Sequence, residues 1–183
     1  MPGVPSRIPD ARIADELDPD VALVALRSAD LPLIERWLRA EHVRRWWPHP
    51  VELELAEMTG YLEGGGVAPF LAWADARPIG YLQIYHANPE EFWAGHELPV
   101  ETFGLDLFIG EAEALGRGWG PRLIRLVLRR LFAMPEIMRV HIDPDPENAV
   151  AIRAYEKAGF RAAGRIETPD GAALYMILER EAG

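Results

Sequence analysis

Three glycines at alternate positions, Gly116, Gly118 and Gly120, separate a strand-like run from a helix-like one. The run in front is Phe103-Gly104-Leu105-Asp106-Leu107-Phe108-Ile109-Gly110. Behind them, Pro121 to Ala133 has helical spacing: Leu123, Ile124, Val127, Leu128 and Leu131 form one face, and Arg122, Arg125, Arg129 and Arg130 point outward. A strand, a glycine turn and a helix N-terminus together make an anion site. Glycine lets the backbone approach a ligand closely, and the unpaired N–H groups and helix dipole favour negative charge.

Which anion is narrowed by what the loop lacks. Gly116-x-Gly118-x-Gly120 has the wrong last spacing for a dinucleotide fingerprint and follows the fourth strand, and no Lys-Ser/Thr completes a P-loop. The formal net charge of −10 argues against a nucleic-acid partner, which needs a basic footprint, and suits a cationic one. No cysteine is present, so disulfides, thiolate nucleophiles and Cys-based zinc sites are excluded. His42, His49, His86, His96 and His141 show no metal spacing, and no metal is expected. Without an apolar run of about 18 residues, no membrane span is expected. Met1 to Asp20 holds four prolines and no apolar h-region, so it reads as a loose arm rather than a signal peptide, and the protein as cytoplasmic. The 163 residues that follow in the 183-residue chain, 21–183, read as one domain.

Element by element, Val21 to Arg27 reads as a buried strand. Helices follow at Leu31 to Arg39, Glu41 to Trp46 and Leu53 to Glu63, the last stopped by Gly64-Gly65-Gly66. Ala68 to Ala74 and Pro78 to Tyr85 form an antiparallel hairpin, and Asn88 to Pro99 a polar, aromatic loop. After the glycine loop and its helix come a strand at Ile137 to Ile142 and a helix at Pro146 to Ala158, with Asp145 as N-cap and Gly159 past its end. Phe160 to Glu167 and Ala172 to Leu178 close the chain as a hairpin over Thr168-Pro169-Asp170-Gly171. The expected fold is α/β (α+β): a mixed, mostly antiparallel twisted sheet of six to seven strands with helices on both faces.

Leu115-Gly116-Arg117-Gly118-Trp119-Gly120 resembles the Arg/Gln-x-x-Gly-x-Gly/Ala acetyl-CoA loop of the GCN5-related N-acetyltransferases. Asp143-Pro144-Asp145-Pro146-Glu147-Asn148, running into Ala151 to Phe160, strengthens the match, as does Thr168-Pro169-Asp170-Gly171 followed by Tyr175-Met176. In this combination the chain is most similar to the aminoglycoside 6′-N-acetyltransferase branch. The similarity covers about Val21 to Arg180 and is strongest from Gly104 onward.

The resemblance implies a ternary complex in which an amine attacks a thioester directly, a reaction that needs no protein nucleophile. The enzyme has to position both substrates, accept a proton from the amine and protonate the leaving thiolate. In the family, the strand before the loop splays from the next one and its backbone pairs with the pantetheine arm. Leu107, Phe108 and Ile109 would supply those groups. The pyrophosphate would rest on the N–H groups of Gly118, Trp119, Gly120 and Arg122, with side-chain charge from Arg117 or Arg122. Two positions depart from the pattern: Leu115 replaces the usual Arg or Gln, and Pro121 removes one donor. Weaker or differently registered phosphate binding is expected.

Asn148, Ile152 and Tyr155 lie at i, i+4 and i+7 and so share a helix face. On spacing alone Tyr155 reads as a core residue. The resemblance makes Asn148 a cofactor contact and Tyr155 the general acid, since a phenol of pKa about 10 keeps its proton at neutral pH. Asp106 matches a substrate ligand and proposed base, and Asp143 and Asp170 match further acidic contacts. Glu91 belongs to an acidic loop beside Trp93. Trp46, Trp47 and Trp93 are candidate walls for sugar rings, or core. The leading expectation is acetyl transfer to the 6′-amine of an aminoglycoside, as in antibiotic resistance, by a monomer or homodimer. The alternatives are acyl transfer to another amine (a siderophore hydroxylamine, a polyamine or a peptide) and a non-catalytic acyl-CoA-binding regulatory domain.

Overall fold

The computed structural model describes residues 11–64, 66–87 and 101–180. One eight-stranded sheet runs in the order β1-β2-β3-β4-β5-β6-β8-β7. Its strands are β1 (Arg12–Ile13), β2 (Val21–Ala25), β3 (Val67–Ala74), β4 (Arg77–His86), β5 (Thr102–Ile109), β6 (Arg139–Ile142), β7 (Arg161–Thr168) and β8 (Gly171–Glu179). Every neighbouring pair is antiparallel except β5 with β6. Helices α1 (Leu31–Leu38), α2 (Glu41–Arg44) and α3 (Val51–Leu62) pack on one face, where Trp37, Leu38, Val43 and Met58 join Leu71, Tyr81 and Phe108 in a core cluster. The larger cluster on the other face gathers α4 (Trp119–Phe132) and α5 (Ala149–Ala158) over Leu82, Ile84, Phe103 and Leu105.

The eighth strand lies in the segment expected to be a loose arm. Arg12 and Ile13 pair with Val24 and Leu23, and Ile13 is buried in the larger core cluster. Charge fastens the same segment to α4: Asp15 accepts from Arg129 at 2.7 Å, and Asp18 accepts from Arg122. From Ala11 onward, therefore, the arm belongs to the sheet. Its apolar contact is a single residue, and its charged partners lie on a helix more than 100 residues away, so no local pattern announces it.

Helix α4 is a stiff platform. Trp119, Leu123, Ile124, Leu126, Val127, Leu128 and Leu131 are all buried. Each fully buried side chain of this kind contributes about 1.5–3 kcal/mol, so the helix start is firmly held in place. Helix α5 begins later than its prolines suggest. Asp145 closes a turn, accepting from the Glu147 N–H at 2.7 Å, and the N-cap is Asn148, whose side chain accepts from the Ala151 N–H at 3.1 Å. Asn148 sits three residues before Ala151, the reach a cap needs, and Asp145 does not.

Candidate active site

The site begins where the sheet opens. Strands β5 and β6 pair only at Thr102–Arg139, Phe103–Val140 and Gly104–His141, and β6 ends at Ile142 while β5 continues to Ile109. On its other edge β5 stays paired with β4 throughout. The Ala87 N–H bonds the Thr102 carbonyl at 2.9 Å, and the Gly110 N–H bonds the Ile79 carbonyl at 2.8 Å. These two bonds set the phase of the antiparallel ladder. Thr102, Gly104, Asp106 and Phe108 turn their backbone groups to β4, and Leu105, Leu107 and Ile109 turn theirs to the gap.

Leu107 and Ile109 therefore face the gap as expected, and Phe108 does not. Its backbone is committed to the pair with Tyr81, and its ring packs 5.1 Å from Trp47 and 5.5 Å from Tyr81. At the far end of the gap the Ile109 carbonyl meets His42 Nε2 at 3.1 Å. A ligand arm entering the gap finds the backbone groups of Leu105 and Leu107 and the N–H of Ile109.

Beyond the gap lies the glycine loop. Gly118 is the N-cap of α4, with φ +80°, a left-handed conformation that suits glycine. From a Gly118 cap, the orphan donors are the N–H groups of Gly118, Trp119 and Gly120, with Pro121 contributing none. The Arg122 N–H falls one position too late, because it closes the first intrahelical bond onto the Gly118 carbonyl. The Arg122 side chain is committed as well. It donates to Asp18 at 2.8 Å and to Asp20 at 2.7 Å, and it lies 4.5 Å from the centre of the Trp119 ring. The two carboxylates push its pKa further up. Arg122 thus drops out of the cradle, its charge neutralised by the N-terminal segment. The Trp119 ring is buried, so this residue offers only its N–H. Arg117 is exposed and makes no ion pair among the described residues, which leaves it free to meet a phosphate. Leu115 is 45% exposed, an apolar surface where a charge or amide was expected. With its Oδ1 spent on the cap, Asn148 has its amide N–H groups left for a ligand.

On the α1–α3 side of the gap the chain gathers carboxylates. Burial pushes the Asp106 carboxyl up to about 7, helped by the charges of Asp143 and Glu54 and opposed by a hydrogen bond from Gln83 Nε2 at 2.9 Å. Burial, with the charge of Asp170, also pushes Asp143 up. Asp170 is exposed, and its carboxylate lies 3.4 Å from His49 Nε2. Glu54, 8% exposed, accepts from Trp47 Nε1 at 2.7 Å, and burial pushes it up too. Four acids on four separate segments thus face one region, where the charge of Asp143 favours the proton on Asp106 and that of Asp170 the proton on Asp143.

Tyr155 reaches that region from the opposite side of the sheet. Its ring packs edge-on to Phe160 at 5.8 Å and is buried. Burial, with the negative charges of Asp106 and Asp143, raises its phenol far above the ordinary range, so it stays protonated. Tyr85 lies over Gly104, where a Cβ would fall 2.3 Å from the ring, and 5.9 Å from His141. His141 itself is pushed down to about 3 by burial and stays neutral.

Of the expected aromatic walls, Trp47 is partly buried with its ring edge-on to both Tyr81 and Phe108, and Trp46 is partly buried with Arg45 4.9 Å from its ring. Glu91 and Trp93 lie outside the described residues. Sequence reasoning missed Gln83, Glu54, Tyr61 and Tyr85. The pattern Tyr81-x-Gln83-x-Tyr85 carried the signal, since three polar-tipped side chains at alternate positions line one strand face. Among the described residues no group of three or more His, Asp or Glu side chains could hold a metal ion, and no helix is long and apolar enough to cross a membrane.

A splayed parallel pair, an amide cradle at the following helix and an acid-lined opening on the far side define an acyl-transfer fold. The chain belongs to the acetyltransferase (GNAT) domain family, whose model matches residues 27–168. It is 35% identical over 169 residues to the aminoglycoside N(6′)-acetyltransferase type 1 of Klebsiella pneumoniae, covering 88% of this chain and 84% of that one. A lysine N-acyltransferase of Mycolicibacterium paratuberculosis is 28% identical, over 97% of this chain and 81% of its own. Among solved structures, the aminoglycoside acetyltransferase AAC(6′)-Ib in complex with coenzyme A and kanamycin superimposes with a TM-score of 0.79. It is 36% identical, over 88% of this chain and 95% of that one.

Proposed function

We propose that this protein transfers the acetyl group of acetyl-CoA to the 6′-amine of an aminoglycoside, in the manner of an antibiotic-resistance enzyme, and works in the cytoplasm as a monomer or homodimer. The observation that carries this reading is the two-sided opening at the β5–β6 split. One side offers amide donors to a pyrophosphate and strand edges to a pantetheine arm. The other offers carboxylates to a polycation.

The acceptor arrives as an ammonium ion drawn by Asp106, Asp143, Asp170 and Glu54. Asp106, with its carboxyl raised toward neutrality, takes the amine proton. The neutral nitrogen forms a bond to the thioester carbonyl carbon, the carbon–sulfur bond breaks, and the thiolate takes the Tyr155 proton. The second proton lost by the nitrogen returns through solvent to Tyr155, which ends neutral. Gly118, Trp119 and Gly120 amides with Arg117 hold the phosphates, Leu105, Leu107 and Ile109 hold the arm, and Asn148 adds a donor beside them. Asp143 and Asp170 hold the remaining ammonium groups. Trp46 and Trp47, both partly buried, border the sugar.

The test is thiol release from acetyl-CoA with kanamycin, a matched aminoglycoside bearing a 6′-hydroxyl, a diamine, a hydroxylamino-lysine and a lysine peptide. Kanamycin should give the highest kcat/KM, and the 6′-hydroxyl analogue should give no release. If the hydroxylamine or the peptide leads, the acceptor assignment fails while acyl transfer stands.

A further inference from the structure

Asp106 has a built-in holder. It stands directly across the β4–β5 ladder from Gln83, and their side chains meet on the acceptor side of the sheet. Gln83 Nε2 lies 2.9 Å from Asp106 Oδ2, and the Tyr81 hydroxyl lies 2.8 Å from Gln83 Oε1. A side-chain amide has one donor end and one acceptor end, and its direction is decided by its partners. Burial keeps the Tyr81 phenol protonated, so it donates. An ionised carboxylate only accepts. Turning the amide round would set the Gln83 carbonyl against the Asp106 carboxylate, so a single orientation satisfies all three groups. Tyr81 cannot drift: it is fully buried, its ring stacks on Phe108 at 5.5 Å and meets Trp47 edge-on at 6.2 Å, and Trp47 is tied to Glu54.

We propose that Gln83, locked by Tyr81, is the positioning residue for the base: it fixes one oxygen of Asp106 and leaves the other facing the acceptor amine. This rests on the reading of Asp106 as the base. The groups that face Asp106 are Asp143 beyond β6, Glu54 and Tyr61 on α3, Tyr81 and Tyr85 on β4, and Tyr155 on α5. The acids among them disfavour its ionised form and the tyrosines carry no charge to favour it. The Gln83 N–H favours it, which keeps Asp106 usable as a base near neutral pH.

The experiment is the pH dependence of kcat/KM for the full chain with acetyl-CoA and the best amine of the panel above. It compares the parent with Gln83→Met, Tyr81→Phe, the double variant and Asp106→Asn, each checked for an unchanged melting profile. Gln83→Met keeps the side-chain length and removes the donor. It should move the acid limb upward by about one pH unit, an approximately tenfold loss below the limb. Tyr81→Phe, which keeps the ring, should move the limb the same way by less, and the double variant should move it no further than Gln83→Met alone. An unmoved limb in Gln83→Met overturns the proposal, as does a rise in amine KM alone, which would make Gln83 a substrate contact. Asp106→Asn with the parental limb and turnover is a different failure, that of Asp106 as the base.

Discussion

In the proposed reaction Asp106 and Tyr155 take opposite proton tasks, and burial, helped by the negative charge of Asp143, serves both. It raises the acid of Asp106 toward neutral pH and holds the proton on Tyr155. The rate should therefore rise with pH up to an apparent value near 7 and then level off, because Asp106 acts only when ionised. Asp143→Asn should shift that limb downward, since removing a neighbouring like charge makes ionisation easier; a limb that stays in place would disconnect the two acids. Tyr155→Phe preserves the packing on Phe160 and removes the proton. Turnover should fall by about 10²-fold with the acetyl-CoA KM nearly unchanged, and steady-state kinetics on both substrates would reveal any other pattern. The family resemblance singled out Tyr155, which spacing alone read as core, and singled out Asp106 together with its place in a strand. It assigned Arg122 to the phosphate because nothing local shows a cation already claimed by Asp18 and Asp20.

The loop joining β5 to α4 carries the proposed cofactor contacts, and its behaviour follows from the geometry of a helix start. Gly118 has φ +80° and open space around it, so the obstacle to a side chain there is the backbone conformation alone. Gly118→Ala should destabilise the fold by about 1–2 kcal/mol and raise the acetyl-CoA KM, readable from a thermal melt and a titration of the donor. Pro121→Ala tests the opposite change. It restores the N–H that the third helical position lacks, and one added donor should tighten coenzyme A binding by about two- to tenfold in calorimetry. A weaker complex would mean that the phosphates lie away from this turn. The strand, glycine turn and amphipathic helix were legible in order, because the apolar period and turn chemistry are local properties of the chain. Which three residues of β5 face the gap was not. That depends on the pairing of β5 with β4, and so Phe108 was placed with Leu107 and Ile109 when its backbone belongs to the ladder.

For the molecule as a whole, the acids of the site weaken the fold they sit in. Asp106 rises from its usual 3.8 to about 7 on folding, so between those values the folded chain holds a proton that the unfolded chain has released. Its contribution to stability is therefore lost as pH rises through that window. Asp106→Asn should leave the melting temperature nearly unchanged at pH 4 and raise it progressively toward pH 7 to 8. A net gain of about 1 kcal/mol corresponds to about 2–4 °C; a gain that is equal at both ends of the range would exclude this cause. Comparing variant with parent removes the opposing contributions. His141, pushed down to about 3, loses stability as pH falls below its unfolded value, and so do Asp15 and Asp18, which are held low by Arg129 and Arg122. The sequence by itself determined most element types and the glycine turn, because each is written in spacings of a few residues, and its resemblance pointed to the family and to Asp106 and Tyr155 as candidates for the proton transfers. Tertiary structure alone decided that β1 joins the sheet, that Arg122 is neutralised from 104 residues away, and that Gln83 meets Asp106 across two strands. Those outcomes depend on which strands become neighbours and in what register, a choice made by burial of the whole core and not by any segment's own pattern.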